Sequence, residues 1–461
     1  MKTYLQIFIS TALFVLIFYK ENIGLNLGIL GCFFAIFNFL KNRKKPHTKR
    51  YCLLFVACLL SSFAFAYYGD FVSFLALFSS TILFRMQEKA RNLNSWWSFP
   101  LVVLNGITFL CRFFQFGRWL PFNFQKTPQK IQKLVATVFI PLFFFCLFFI
   151  VYALASDLLA SLLTDYELNL DWWQFFVITC LGFFVAFNFW NFSVERFILK
   201  KNHLLKNEFA ASDINVKSTF SLLDLNSERM SGVMTFLVLN FLLLIFIFIF
   251  NYEQFFKTNL SPITLSEETH TRVNVVIVSI AMAIAMVLFY FKSAFNFDPK
   301  AKLLRVLVYI WIALNFVLVC SAFAKNSEYI YHHGFTYKRL GVDAFLLLCV
   351  FGLAFTLIKV RLKKTNAYLF NAMFWCFYGT ILACSFVNWG GFITRENIKM
   401  SNFSVKYHLH DINFSEKVLM NDAELRHNDA LKAKIKEKIH KQEQEREGTW
   451  LSHILFYESL R

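Results

Sequence analysis

Long apolar runs, broken by short clusters of charge, follow one another along most of the chain. A bilayer core about 30 Å thick takes roughly 17–25 apolar residues per crossing helix. On that measure the sequence predicts spans at 3–19, 23–40, 51–68, 70–84, 134–155, 172–192, 231–251, 273–291, 303–324, 341–360 and 367–387. The runs are apolar all the way round and show no alternation of period two, which argues against a barrel. Backbone groups in lipid must be paired within the segment, so these are helices. The predicted fold is therefore all-α, a polytopic transmembrane bundle of about 11 spans. Residues 51–84 are short for two crossings and are also readable as a re-entrant hairpin. Residues 99–116 are long enough for a twelfth span, but they begin with Pro100 and carry Arg112.

Charge decides that last point. Put the N-terminus on the cytoplasmic side and let 99–116 stay on that side. The inner segments then hold 29 Lys and Arg and the outer loops 6. If 99–116 crosses, the tally becomes 15 inside and 20 outside. The bias of basic residues toward cytoplasmic loops selects the first arrangement. Segment 99–116 is then interfacial or re-entrant in the inner headgroup layer, where Arg112 can snorkel. The loop 156–171 has four acids and no Lys or Arg, and belongs outside. Four parts follow: N-terminal helices at 1–98, the inner-face segment 99–133, a transmembrane core at 134–394 and a hydrophilic tail at 395–461, placed outside.

Composition agrees. The chain is 57% hydrophobic and 16% charged, with a net charge of +18; soluble domains are roughly 45–50% apolar and 25% charged. A soluble enzyme, a disordered chain and a disulfide-stapled secreted domain are excluded. The positive charge follows from membrane orientation, so it implies no nucleic-acid partner. The 62 Phe residues accompany abundant Lys, Ile and Asn, as an AT-rich genome produces, and Phe faces lipid as well as Leu does.

Chemistry is sparse. Ten cysteines form no Cys-x-x-Cys and read as apolar packing residues. His332-His333 and His408-x-His410-Asp411 are too few to complete a zinc site. Phosphate-loop, dinucleotide, nucleophile-elbow and zinc-protease motifs are absent, so no catalytic residue, metal or cofactor is assigned. Polar residues within spans are mainly Asn38, Asn188, Asn240 and Asn315, which on membrane helices tend to bond neighbouring helices. In the tail, 422–447 reads as an exposed helix ended by Gly448, and 450–457 is apolar enough to dock.

Four stretches carry a family resemblance: Tyr152–Asp157 with Asp171-Trp172, Leu265–Asn274, Tyr329–Val342, and Asn388–Asn397. From about residue 135 onward the chain resembles a family of bacterial inner-membrane proteins without an assigned activity, domain of unknown function 4173, related to domain of unknown function 4153. The first 130 residues match it only in being apolar, and Gly390 stands where that family usually has an acid. The resemblance implies an integral membrane protein and names no catalytic residues. It gathers candidates at the outer face: Asp157, Glu267, Gly334, Thr336, Arg339, Arg395 and Asn397. Gly334 and Thr336 read as a turn and an N-cap opening the next helix. Arg339 and Arg395 are expected to hold the outer loops together through ion pairs with Asp157, Glu267 or Asp343, with anion or headgroup binding as the other reading.

Two classes of function fit. The first is a non-enzymatic scaffold, sensor or envelope-associated factor with an outer cap. The second is a permease or lipid-handling transporter with a cavity between helices. The expected partners are the lipid bilayer and a protein docking at the inner loop 193–230 or at the tail.

Overall fold

A computed structural model describes residues 2–42, 48–120, 171–210, 224–256, 262–401, 403–444 and 449–460, with a few isolated positions at 137–148. Among the described residues there are helices and no strands. Ten long helices coincide with ten of the expected spans: α1 (Thr3–Phe18), α2 (Leu25–Lys41), α3 (Lys49–Tyr68), α4 (Phe71–Lys89), α6 (Trp172–Trp190), α7 (Leu225–Phe256), α8 (Pro262–Tyr290), α9 (Lys302–His333), α10 (Tyr337–Arg361) and α11 (Asn366–Cys384). Between α4 and α6 lies the shorter α5 (Ser98–Ile107). The span expected at 134–155 lies, those isolated positions apart, outside the described residues.

Residues 51–84 form two helices joined by a tight turn, the first of them long and apolar enough to cross a membrane. Gly69 joins them in the left-handed region at φ +61°, and Asp70 caps α4 through Ser73 N–H at 2.8 Å. Segment 99–116 breaks into short pieces, α5 followed by turns at Phe109–Phe113 and Phe116–Trp119. Several spans run past their expected ends. α4 continues through Arg85 to Lys89, α8 begins at Pro262 and takes in most of the stretch assigned to an outer loop, and α9 reaches His333. At 1.5 Å per residue, the 32 residues of α9 extend about 48 Å, well beyond a hydrocarbon core.

The helices pack in two groups. α1, α2 and α6 share an aromatic core that includes Phe14, Phe34, Phe187 and Trp190; α3 and α4 pack beside them around Leu54, Leu83 and Phe84. α7 to α10 enclose the second core, around Phe236, Val287, Leu304 and Trp311. α11 packs on both α10 and α4, and Tyr378 Oη meets Ser80 Oγ at 2.8 Å across that seam.

Hydrogen bonds sort the helix ends onto two faces. One face gathers Lys41 with Gln6, Arg229 with Asp298, Lys364 with Glu208, Asn371 with Asn207 and Asn94 with Asn202. The other gathers the loops at 19–25 and 68–71, the turn at 334–336 and the start of α12 (Trp389–Asn397), and the tail folds there. The tail contains α13 (Val405–His410), α14 (Glu416–Leu425) and α15 (Asp429–Gln444). The single exposed helix expected at 422–447 is instead two, broken where His427 takes φ +53°. α14 and α15 close on a small core of Leu419, Ala423, Leu431 and Ile435. The end of the tail docks as expected: Ile454, Phe456 and Tyr457 pack with Phe414, Tyr67 and Tyr68.

Candidate functional site at the capped face

α9 ends at the turn 334–336. Gly334 has φ +80°, and a Cβ there would lie 2.7 Å from Asn397 Oδ1, so both backbone angle and space require glycine. Thr336 is extended, and its hydroxyl accepts from Arg339 N–H at 3.3 Å, capping α10. Asn397, at the end of α12, grips both sides of Phe335: Phe335 N–H donates to its Oδ1 at 2.7 Å, and its Nδ2 donates to Phe335 O at 2.9 Å. The same Nδ2 lies 3.0 Å from His408 Nε2, while His408 Nδ1 lies 2.9 Å from Ser404 O. A carbonyl only accepts, so Nδ1 carries the proton and Nε2 accepts from Asn397. Burial holds the His408 imidazole below the usual histidine range, although the Ser404 carbonyl opposes this. We refer to this arrangement as the clasp.

Arg339 is buried beside it. Its guanidinium lies 4.0 Å from the centre of the Tyr329 ring and donates to His333 O at 2.9 Å and to Gly334 O. The expected ion pair with Asp343 does not form. Asn326 donates to that carboxylate instead, at 2.7 Å, and also to Arg339 O at 3.1 Å. The end of α9 presents unpaired carbonyls and the negative end of its dipole, and these take the cation. Arg395 is exposed and makes no ion pair among the described residues. Glu267 falls within α8 rather than in a loop. Asp157 lies outside the described residues. The structure thus brings together Gly334, Thr336, Arg339 and Asn397. Among the described residues, two buried polar atoms near the clasp have no partner, Arg339 Nε and Thr394 Oγ1.

The tail ties this clasp to the first helix group. Glu21 accepts from Thr449 N–H at 2.9 and 3.1 Å and from Ser452 Oγ at 2.5 Å. Leu25 N–H donates to His453 O at 3.0 Å. Ile454 lies so close to Gly69 that a Cβ on that glycine would meet its Cδ1 at 2.5 Å. On the other side Asn388 Nδ2 donates to Phe414 O at 3.1 Å and Tyr337 Oη to Asn413 O at 3.3 Å. Asn326, Tyr329, His408 and Glu21 were not among the candidates, because nothing local in the sequence marks their partners.

The opposite face repeats the use of cations on helix ends. Arg85, only 1% exposed, donates to Phe189 O at 2.6 Å, Trp190 O at 2.7 Å and Asn38 Oδ1 at 3.0 Å, and pairs with Glu88. Arg112 donates to Asn191 O and Asn105 O, both at 2.6 Å, and to Asn188 Oδ1 at 2.5 Å. Together they cover the carbonyl end of α6. Lys359 reaches the end of α8, donating to Phe291 O at 2.7 Å. Two other in-span asparagines bond carbonyls: Asn240 that of Leu307 on α9, and Asn315 that of Trp311 in its own helix.

These helices define an all-α, polytopic bundle; among the described residues six are long and apolar enough to cross a membrane, with shorter apolar helices beside them. Its capped face is built from backbone-holding contacts. A family model, "Domain of unknown function (DUF4153)", matches residues 8–414, so the chain belongs to that family. The match begins inside α1, so the family extends over the N-terminal helices that had matched only in being apolar, and it stops at Phe414, before most of the tail. No curated protein and no solved structure matches.

Proposed function

We propose that this is a non-enzymatic scaffold, sensor or envelope-associated factor of the bacterial inner membrane. Its N-terminus is cytoplasmic, and its tail forms an extracytoplasmic cap that receives a partner or ligand. The carrying observation is the tail itself: it joins Glu21, Gly69 and Tyr68 of one helix group to Phe335, Tyr337 and Asn388 of the other. A ligand with acceptor oxygens would satisfy Arg339 Nε and Thr394 Oγ1. The charge tally favours this orientation, and the four outer-face stretches favour kinship with domain of unknown function 4173. The division at 98, 133 and 394 goes with this reading, as does a protein partner at the tail or at the inner loop 193–230.

A transporter reading retains one observation, the buried Oδ1 atoms of Asn240 and Asn315, which accept no hydrogen bond. Two measurements test the cap. A periplasmic reporter fused after residue 461 should be active, and a reporter active only in the cytoplasm refutes the orientation. A photo-crosslinker at exposed Leu425 should capture a discrete partner in cells; no capture there, with capture from the lipid-facing Phe248, refutes a receiving cap.

A further inference from the structure

The basic face carries an amphipathic shelf whose polarity is turned inward. Along α5 and the following turns, Phe99, Val103, Ile107, Leu110 and Phe114 are all exposed, at spacings of 4, 4, 3 and 4 that keep them on one side. The other side is buried and bonded to protein. Asn105 exchanges two bonds with Ser193, at 2.8 and 2.9 Å, and Arg112 closes the end of α6. A surface helix in water would show the reverse arrangement.

Segment 194–206 follows directly on Ser193, which Asn105 holds against α5. Ile198 is buried in the same cluster as Leu101 of α5, which fixes the two segments to one another. Around that anchor, Phe197, Leu199 and Leu204 are exposed among exposed Arg196, Lys200, Lys201 and Lys206.

The geometry points to a seat for anionic phospholipid: acyl chains lie along the Phe99–Phe114 stripe, and phosphates meet the cations of 196–206. Charge complementarity selects the ligand, because an apolar ledge edged by four cations matches a tail and an anionic headgroup in one molecule. This rests on the basic face being the inner leaflet side of a membrane protein.

The test uses the full chain in nanodiscs of phosphatidylcholine with 30% phosphatidylglycerol, followed by native mass spectrometry of retained lipid. Wild type should retain the two lipids with a phosphatidylglycerol-to-phosphatidylcholine ratio at least about tenfold above that of the bulk bilayer. The K200Q/K201Q/K206Q variant should lose most of that preference, since each cation near an anionic surface gives about fivefold. Ile107→Ser should lower total retained lipid while leaving the preference. Equal retention of both lipids by wild type overturns the seat, as does an unchanged preference in the triple variant, which would leave the face to a protein or to solvent. Carbonate extraction of the protein from vesicles would instead refute the membrane reading itself.

Discussion

Replacing Asn397 with Ala removes three hydrogen bonds at once: two to Phe335 and one to His408. A neutral hydrogen bond contributes about 1 kcal/mol net, and a buried group left unpaired costs more. Phe335 is only half-buried, so water can re-pair part of its backbone. The expected loss is therefore about 2 kcal/mol of local stability, or roughly 30-fold in the opening constant. Native-state hydrogen exchange on the full chain in nanodiscs reads this directly, because opening is local. The Phe335 amide and those of 404–411 should exchange about 30 times faster, while the cores of α9 and α10 keep their protection. If those amides change by less than threefold in a variant whose core protection is intact, the clasp does not hold the tail. Asn397→Asp gives an independent check through pH. In the native protein the folded pKa of His408 lies below its unfolded value. The unfolded state binds the extra proton, so the clasp is fully stabilised above about pH 6.5 and weakens as pH falls through the lowered pKa. In Asn397→Asp the carboxylate faces His408 Nε2 and should raise the folded pKa. Stability is then greatest in acid and is lost as pH rises through that pKa. The same slope of exchange against pH in both proteins would refute the assigned tautomer and the pairing.

Other outcomes follow from the same contacts. Gly334→Ala meets Asn397 at a positive φ and should cost about 1–3 kcal/mol, seen as a lower unfolding midpoint in detergent and faster exchange at 333–337. Arg85→Met leaves the carbonyls of Phe189 and Trp190 without their buried donor and strands Glu88, which should cost about 3–5 kcal/mol; expression at wild-type level with an unchanged midpoint would contradict the role. Glu21→Gln weakens the charge-assisted grip on Thr449 and Ser452, and protease cleavage near 449 should rise severalfold without a change in the transmembrane core.

Helix positions were legible because they depend on local composition. Apolar runs long enough for a bilayer need only their own backbone bonds, so ten of the expected spans are helices here. Helix ends were less legible. α8 and α9 extend through polar residues such as Glu267, Glu268, Lys325 and Asn326, because hydropathy marks where lipid stops and not where the helix does. Thr336 could be read as a cap, since its partner is three residues away. The ion pairs foreseen for Arg339 and Arg395 could not be read that way.

What the sequence determined on its own was class and polarity: an all-α chain of apolar helices with its basic residues concentrated between alternate spans. What the tertiary structure decided was where the buried cations go. Arg85, Arg112, Lys359 and Arg339 end on the carbonyls of helices other than their own, up to 105 residues away in the case of Arg85, and the first three lie on one face and Arg339 on the other. The physical reason is that a helix C-terminus is an acceptor made of backbone, present whatever the side chains are. A carboxylate partner leaves a letter in the sequence, while a carbonyl partner leaves none. The clasp follows the same rule, because Asn397 reads the backbone of Phe335, which any residue there would offer, and only packing brings the two together.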